Sequence, residues 1–197
     1  FDCYGTLIDW EKGIIDALQP ILIANGVKIS DDEILIHFGR TEHVIQSESP
    51  EMLYSQVLEE VVYKFGEKYG FNPTKSQAES FGLSIKNWKP FPDTVAGLQK
   101  LARFFKIIIV SNIDNTSIDA TVPHLGIDFY KIFTAQEMGA YKPDEKVFSY
   151  VFEKLSNEGI QKNDILHVAE SVFHDHVPAK KLNLDSVWIH RKFNKKT

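Results

Sequence analysis

The feature that most constrains the fold of this chain is Ile107-Ile108-Ile109-Val110. Four consecutive β-branched residues have no polar face at either helical or strand spacing, and a run this short reads as a strand buried on both sides of a parallel sheet. Parallel strands need crossover connections, so helices must lie on either side of it in sequence. The chain supplies them. A helix through Val95, Leu98 and Leu101 leads in, and another helix follows. Then come a short strand near Ile132-Phe133-Thr134, the turn Tyr141-Lys142-Pro143 and a helix through Val147, Val151 and Leu155. Ile165 to Val168 reads as a further buried strand, and Ser186 to His190 as the last. From Pro92 onward this is α/β grammar.

Between Trp10 and about residue 87 the pattern is helical throughout. Ile14, Ile15, Leu18, Ile21 and Leu22 form one stripe, with Pro20 as the expected kink and Asn25-Gly26 as the stop. Ser30-Asp31-Asp32-Glu33 has the Ser-x-x-Glu form of a capping box and opens a second helix through Phe38. Ser49-Pro50-Glu51 combines an N-cap residue, a first-turn proline and an acid, predicting a third helix from there to Tyr69. Asn72-Pro73 announces a fourth, ending before Lys89-Pro90. The expected organisation is a discontinuous core, residues 1–11 and 90–197, with a four-helix cap at 12–89 inserted into it.

A 43% hydrophobic share, 25% charged residues and a net charge of −5 place the chain in the globular class and argue against a general nucleic-acid or acidic-membrane surface. The basic residues Arg191, Lys192, Lys195 and Lys196 are too few to change that. Cys3 is the single cysteine, so no internal disulfide forms, and no apolar run is long enough to span a membrane. A reducing, cytoplasmic setting is expected. If Asp2 closes a buried strand, that strand lacks its usual apolar lead, and the numbering is expected to start inside a longer protein and to stop short of its end.

Candidate reactive residues sit just past the apolar strands, where open parallel sheets gather their chemistry. Asp2 lies in Phe1-Asp2-Cys3-Tyr4-Gly5-Thr6-Leu7, a short apolar lead, an acid and a Gly-Thr turn. Ser111-Asn112 follows the β-branched run; Ala169-Glu170-Ser171 and then Asp175 follow the third strand; Lys142 sits in a loop entering a helix. Alone, each is an ordinary turn or solvated residue. Asp2 is the candidate nucleophile, since a carboxylate can form an ester that water later hydrolyses. Lys142 is expected to neutralise Asp2, an opposite charge favouring the ionised form of each, while Thr6, Ser111 and Asn112 supply hydrogen bonds that orient its carboxylate.

These motifs in this order resemble the haloacid dehalogenase superfamily, most closely its type II 2-haloacid dehalogenases and azetidine-2-carboxylate hydrolase-like members, over almost the whole chain. The features that carry this are Phe1 to Trp10, Ser111-Asn112-Ile113-Asp114, and Ala169-Glu170-Ser171 with His174-Asp175-His176 and Pro178-Ala179. The resemblance implies an α/β fold with a Rossmann-like three-layer core, a parallel sheet and a helical cap. It also implies a metal-independent hydrolase acting on a small 2-substituted carboxylic acid. Arg40 then matches the arginine that handles the substrate carboxylate or the leaving halide, Asp175 positions or activates the hydrolytic water, and Tyr4, Glu170 and Ser171 face the substrate. A homodimer is allowed by the same analogy.

Tyr4 guides the reaction type. Phosphatases of the superfamily carry an acid two residues after the nucleophile to protonate a departing alkoxide, and here that residue is tyrosine. A halide, or a ring nitrogen that is already protonated, needs no such acid. Three departures from the type II pattern leave the leaving group open: Phe148 for a tyrosine, Glu170 for a serine and Val172 for an asparagine. Glu170 matters most, because Asp2, Glu170 and Asp175 crowd one lysine and call for a further cation. A cationic substrate provides it. Magnesium provides it in the alternative reading, a phosphatase with Glu170 on the metal; a fold retained only for binding is the third. Smaller expectations attach to His174 and His176 as surface or capping residues, Trp10 and Trp88 as pocket wall or interface packing, His167 as a satisfied core residue, and Cys3 as pointing away from the site.

Overall fold

The structure, a computed structural model, describes residues 1–191. Lys192, Lys195 and Lys196 of the basic ending lie outside the described residues. The chain leaves the sheet at Asp9 and builds α1 (Trp10–Ala24), α2 (Asp31–Glu48), α3 (Tyr54–Tyr69), α4 (Lys75–Gly82) and a 3-10 turn at Leu83–Asn87. It returns through α5 (Thr94–Leu101), β1 (Ile108–Ser111), α6 (Asn115–Leu125), β2 (Lys131–Thr134), α7 (Ala135–Met138), α8 (Glu145–Ser156), β3 (His167–Ala169), a π-helical turn at Val172–His176, α9 (Val177–Lys181) and β4 (Ser186–Trp188).

β1 pairs in parallel with β2, and β3 with β4. The first two residues join the pairs. The Phe1 amino group donates to Ile108 O at 2.7 Å, Val110 N donates to Phe1 O at 2.9 Å, and Asp2 N donates to Val168 O at 3.0 Å. Asp2 thus sits between β1 and β3, in the middle of the sheet. Successive β1 residues face opposite sides: Ile109 belongs to the cluster that includes Leu7, Ile8 and the cap helices, Val110 to one built on Val147, Phe148, Val151 and Leu155 of α8. That is the burial expected of the β-branched run, whereas β4 is exposed at all three residues and lies at the edge.

The cap helices follow the sequence signals with two corrections. The Ser30–Glu33 capping box forms, and α1 runs through Pro20 to its expected stop at Asn25. The third helix, however, does not start at Ser49. α2 continues to Glu48 with Ser49 as its C-cap, and α3 begins at Tyr54, where Gln56 Oε1 accepts from Leu53 N at 3.2 Å. The apolar stripe of α2 continues to a buried Ile45, so burial carries the helix on beyond Phe38, the last stripe residue read from the sequence. Likewise α4 is capped by Thr74 with Gln77, two residues beyond Asn72. The two crossings between cap and core are stitched together by Asp9 N to Lys89 O at 2.9 Å and by a bridge between Ile8 and Pro90.

Candidate active site

The first loop places the site's centre. Gly5 has φ +91°, a conformation glycine adopts without strain, and an added Cβ would meet the Trp10 indole Nε1 at 2.9 Å. This tight turn folds Thr6 back onto Asp2: Thr6 Oγ1 donates to Asp2 Oδ2 at 2.6 Å and accepts from Glu170 N at 2.9 Å. Lys142 Nζ donates to Asp2 Oδ1 at 2.9 Å, to Asp175 Oδ1 at 2.7 Å and to Val110 O at 3.0 Å. All three groups, Asp2, Lys142 and Asp175, are buried.

Asn112 does not bond the Asp2 carboxylate as expected. Its amide clamps the Lys142 backbone, accepting from Lys142 N at 2.7 Å and donating to Lys142 O at 2.9 Å, so it orients the nucleophile candidate at one remove by fixing the lysine's loop. Ser111, at the end of β1, lines the same pocket, but among the described residues it too makes no hydrogen bond to Asp2, whose oxygens are met by Thr6 and Lys142.

His167 is buried, but it is more than core filling. Its Nε2 lies 2.7 Å from Asp175 Oδ1 and, because a carboxylate only accepts, carries the proton; Phe148 meets the ring edge-on at 5.4 Å between centroids. Burial alone would push the Asp175 pKa up, yet Lys142 and His167 overcome it and hold the carboxyl well below the usual range. For Lys142 burial favours the neutral amine, and Asp175 and Asp2 more than reverse that, so the ammonium is held above the ordinary lysine value. Asp175 Oδ2 is buried without a hydrogen-bond partner. Burial pushes His167 down.

Above these groups is a cavity of about 520 Å³ that Asp2, Lys142 and Asp175 share with Tyr4, Arg40, Glu170 and Ser171. Of the residues given a catalytic or substrate-facing role from sequence, all line this cavity except Thr6, which acts from beneath it. Tyr4 packs edge-on against Trp88 at 5.8 Å, and its OH lies 2.6 Å from Thr121 Oγ1. Thr121 spends its own proton on Ser117 O at 3.0 Å, so Tyr4 is the donor. Burial raises the Tyr4 pKa well above its ordinary value. Trp10 walls the cavity, while Trp88 is buried in the seam. His174 lines the cavity, and its backbone N–H donates to the capping Ser171 Oγ at 3.1 Å; His176 instead bonds Ser186 Oγ and Ala169 O. Cys3 is fully buried beside the site and does not line it.

Beyond Arg40 and Trp10, the sequence reading missed the cap wall. Gly39, Arg40, Glu42, His43 and Gln46 of α2 all face the cavity, and Tyr54 of α3 donates to Glu42 Oε1. Spacings of three and four along α2 were the available signal, a polar stripe where a buried face would be apolar. Phe173 joins them from the core, meeting His43 at 5.8 Å across the cavity mouth.

Among the described residues no three His, Cys, Asp or Glu side chains converge on one point, and one oxygen of Asp2 and one of Asp175 are already taken by the Lys142 ammonium.

Fold and site together define a capped α/β protein with a lysine-held carboxylate at the carboxyl edge of its sheet. The family model of the haloacid dehalogenase-like hydrolases matches residues 1–189, and the chain belongs to that family. An (S)-2-haloacid dehalogenase of Pseudomonas sp. (strain YL) is 31% identical over 114 residues, covering 57% of this chain and 47% of the relative. The rhythmically expressed gene 2 protein of Drosophila melanogaster is 26% identical over 112 residues, covering 53% and 43%. The chain thus spans about half the length of the curated relatives it matches. The solved L-2-haloacid dehalogenase of Xanthobacter autotrophicus superposes with a TM-score of 0.81 at 21% identity, over 97% of this chain and 76% of that one. A Bacillus subtilis protein, YfnB, solved bound to magnesium, gives 0.81 at 18% identity over 100% and 88%. At these identities the structural likeness carries the fold alone.

Proposed function

We propose that the chain is a hydrolase that opens a carbon–halogen or strained carbon–nitrogen bond at C2 of a small carboxylic acid, through an ester on Asp2. One observation carries this reading. Thr6 and Lys142 each bond one oxygen of the Asp2 carboxylate and fix it at the cavity floor, while the residue two positions on, Tyr4, has its only proton committed to Thr121. A nucleophile is present and the usual leaving-group acid is not.

The chemistry then runs in two steps. An Asp2 carboxylate oxygen attacks C2 as the bond to the leaving group breaks, the electron pair departing with that group; Arg40 holds the substrate carboxylate in a fork. Water adds to the ester carbonyl, returning the carboxylate and releasing the 2-hydroxy acid and a proton. Asp175 Oδ2, unpaired and aimed at no protein donor, is the acceptor that orients this water. Its depressed basicity suits orientation better than deprotonation.

Turnover of 2-chloropropionate, azetidine-2-carboxylate and a generic phosphate ester, with and without chelator, separates the classes. Single turnover in heavy-oxygen water should place label in the Asp2 peptide, and Asp2→Asn should lower kcat by at least about a thousandfold. Label in the product alone would rule out the ester. Chelator-sensitive phosphate release would replace this reading by the magnesium-dependent phosphatase, for which Glu170 in the cavity is the supporting residue.

A further inference from the structure

The cap wall carries a carboxylate that the proposed chemistry leaves unused. Glu42 is half-buried on α2, lines the cavity opposite the Asp2 floor, and accepts a hydrogen bond from Tyr54 OH at Oε1. No ion pair reaches it from the described residues. Desolvation raises its pKa to about 7 even though the Tyr54 bond works the other way.

Two arguments converge on Glu42. The first concerns charge. Leaving Glu170 aside, the cavity holds the carboxylates of Asp2, Glu42 and Asp175 against two permanent cations, Arg40 and Lys142, and Lys142 already serves both Asp2 and Asp175. A substrate carboxylate on Arg40 leaves the cavity short of positive charge. The second concerns direction. Displacement at carbon proceeds from the side opposite the departing group, so a nucleophile on the core floor expels its leaving group toward the cap. The group on that wall meets whatever departs.

We propose that Glu42 is the residue that selects the leaving group, its Tyr54-held carboxylate accepting the N–H of a protonated nitrogen at C2 and repelling a departing halide. This rests on the aspartyl-ester reading above and narrows it. As the C2–N bond breaks, the nitrogen keeps the electron pair and becomes a neutral amine that still donates to Glu42, whereas a halide anion would build up beside a like charge. Tyr54 fixes one oxygen of Glu42, leaving the other to the substrate.

The test is Glu42→Gln, which keeps shape and the bond from Tyr54 and removes the charge. With azetidine-2-carboxylate the variant should lose at least about tenfold in kcat/KM, and with 2-chloropropionate it should hold or gain; a change of equal size in the same direction for both would overturn the proposal. Binding separates this from the reaction reading. In the Asp2→Asn background, thermal shift should favour azetidine-2-carboxylate over cyclobutanecarboxylate, its nitrogen-free counterpart, and Glu42→Gln should erase the preference. If that preference appears without turnover of any acid by the unmodified protein, Glu42 recognition stands and the ester reading falls. If turnover through Asp2 occurs and neither the preference nor the reciprocal change is seen, the Glu42 proposal falls and the ester reading stands.

Discussion

Lys142 is the residue on which the centre of the site depends. A buried ammonium bonding two buried carboxylates is costly to bring out of water, and the assembly is stable because each charge has its counter-charge in place. Lys142→Met leaves Asp2 and Asp175 facing each other without it and should cost about 3–5 kcal/mol in urea unfolding as well as abolishing turnover. A variant as stable as the parent would mean that the ion pairs contribute nothing. Asp175 also gives the fold a pH signature. Its folded pKa is depressed below the unfolded value of about 3.9, so its contribution is present above about pH 4 and is lost as pH falls below that. Asp175→Asn should flatten the fall in urea midpoint between about pH 4 and pH 2. At this scale the sequence was readable where a residue follows an apolar strand: Asp2, Ser111, Glu170 and Asp175 all did. His167 was not, because a histidine inside an apolar strand looks like core until the π-helical turn at Val172–His176 brings Asp175 back against it.

Among the elements, α1 and the segment after the 3-10 turn meet where the chain crosses between cap and core, and their fit is tight at one point. A Cβ on Gly13 would lie 2.4 Å from Trp88 Cγ, and Trp88 in turn supports Tyr4 and bonds Ser84 Oγ through Nε1 at 3.2 Å. Gly13→Ala should therefore cost about 1–3 kcal/mol by overpacking, and Trp88→Leu in the same chain should restore part of it. Equal stability of Gly13→Ala and the parent, read from thermal melts, would show that the indole can move aside. Helix existence was legible from the stripes through Ile14–Leu22 and Ile34–Phe38. Boundaries were less so, since Ser49-Pro50-Glu51 carries every local mark of a helix start and yet follows a helix that burial of Ile45 extends to Glu48. Local capping chemistry is worth about 1 kcal/mol, less than one buried aliphatic side chain.

Cap and core, although separate in sequence grammar, share one apolar interior. A single cluster runs from Ile14, Phe38, Phe65 and Phe81 of the helical insertion through Leu7, Ile8 and Trp88 to Ile109, Ile118 and Leu125 of the sheet side. Backbone and side-chain bonds reinforce the seam: Ser55 N donates to Asp114 Oδ2 at 3.0 Å, and Tyr141 OH donates to Met52 O at 2.7 Å. The alternation of strand and helix after Pro92 made the α/β class legible, and the uninterrupted helical stretch before it made the insertion legible. What sequence could not show was how far the two are joined, because that depends on pairs such as Ser55 with Asp114 that are distant in the chain. We propose from this continuity that the helical cap and the sheet core unfold as one unit. Far-ultraviolet circular dichroism reports mainly the helices, and fluorescence is weighted toward the seam, where Trp10 and Trp88 sit while Trp188 is exposed. Both signals should follow one urea transition with the same midpoint. Asp114→Ala removes the α6 N-cap and the bond to Ser55 together, and should lower that shared midpoint without splitting it. A cap that melts first, seen as a helical signal lost before the tryptophan signal moves, would show that the common cluster does not bind the two parts into one cooperative fold.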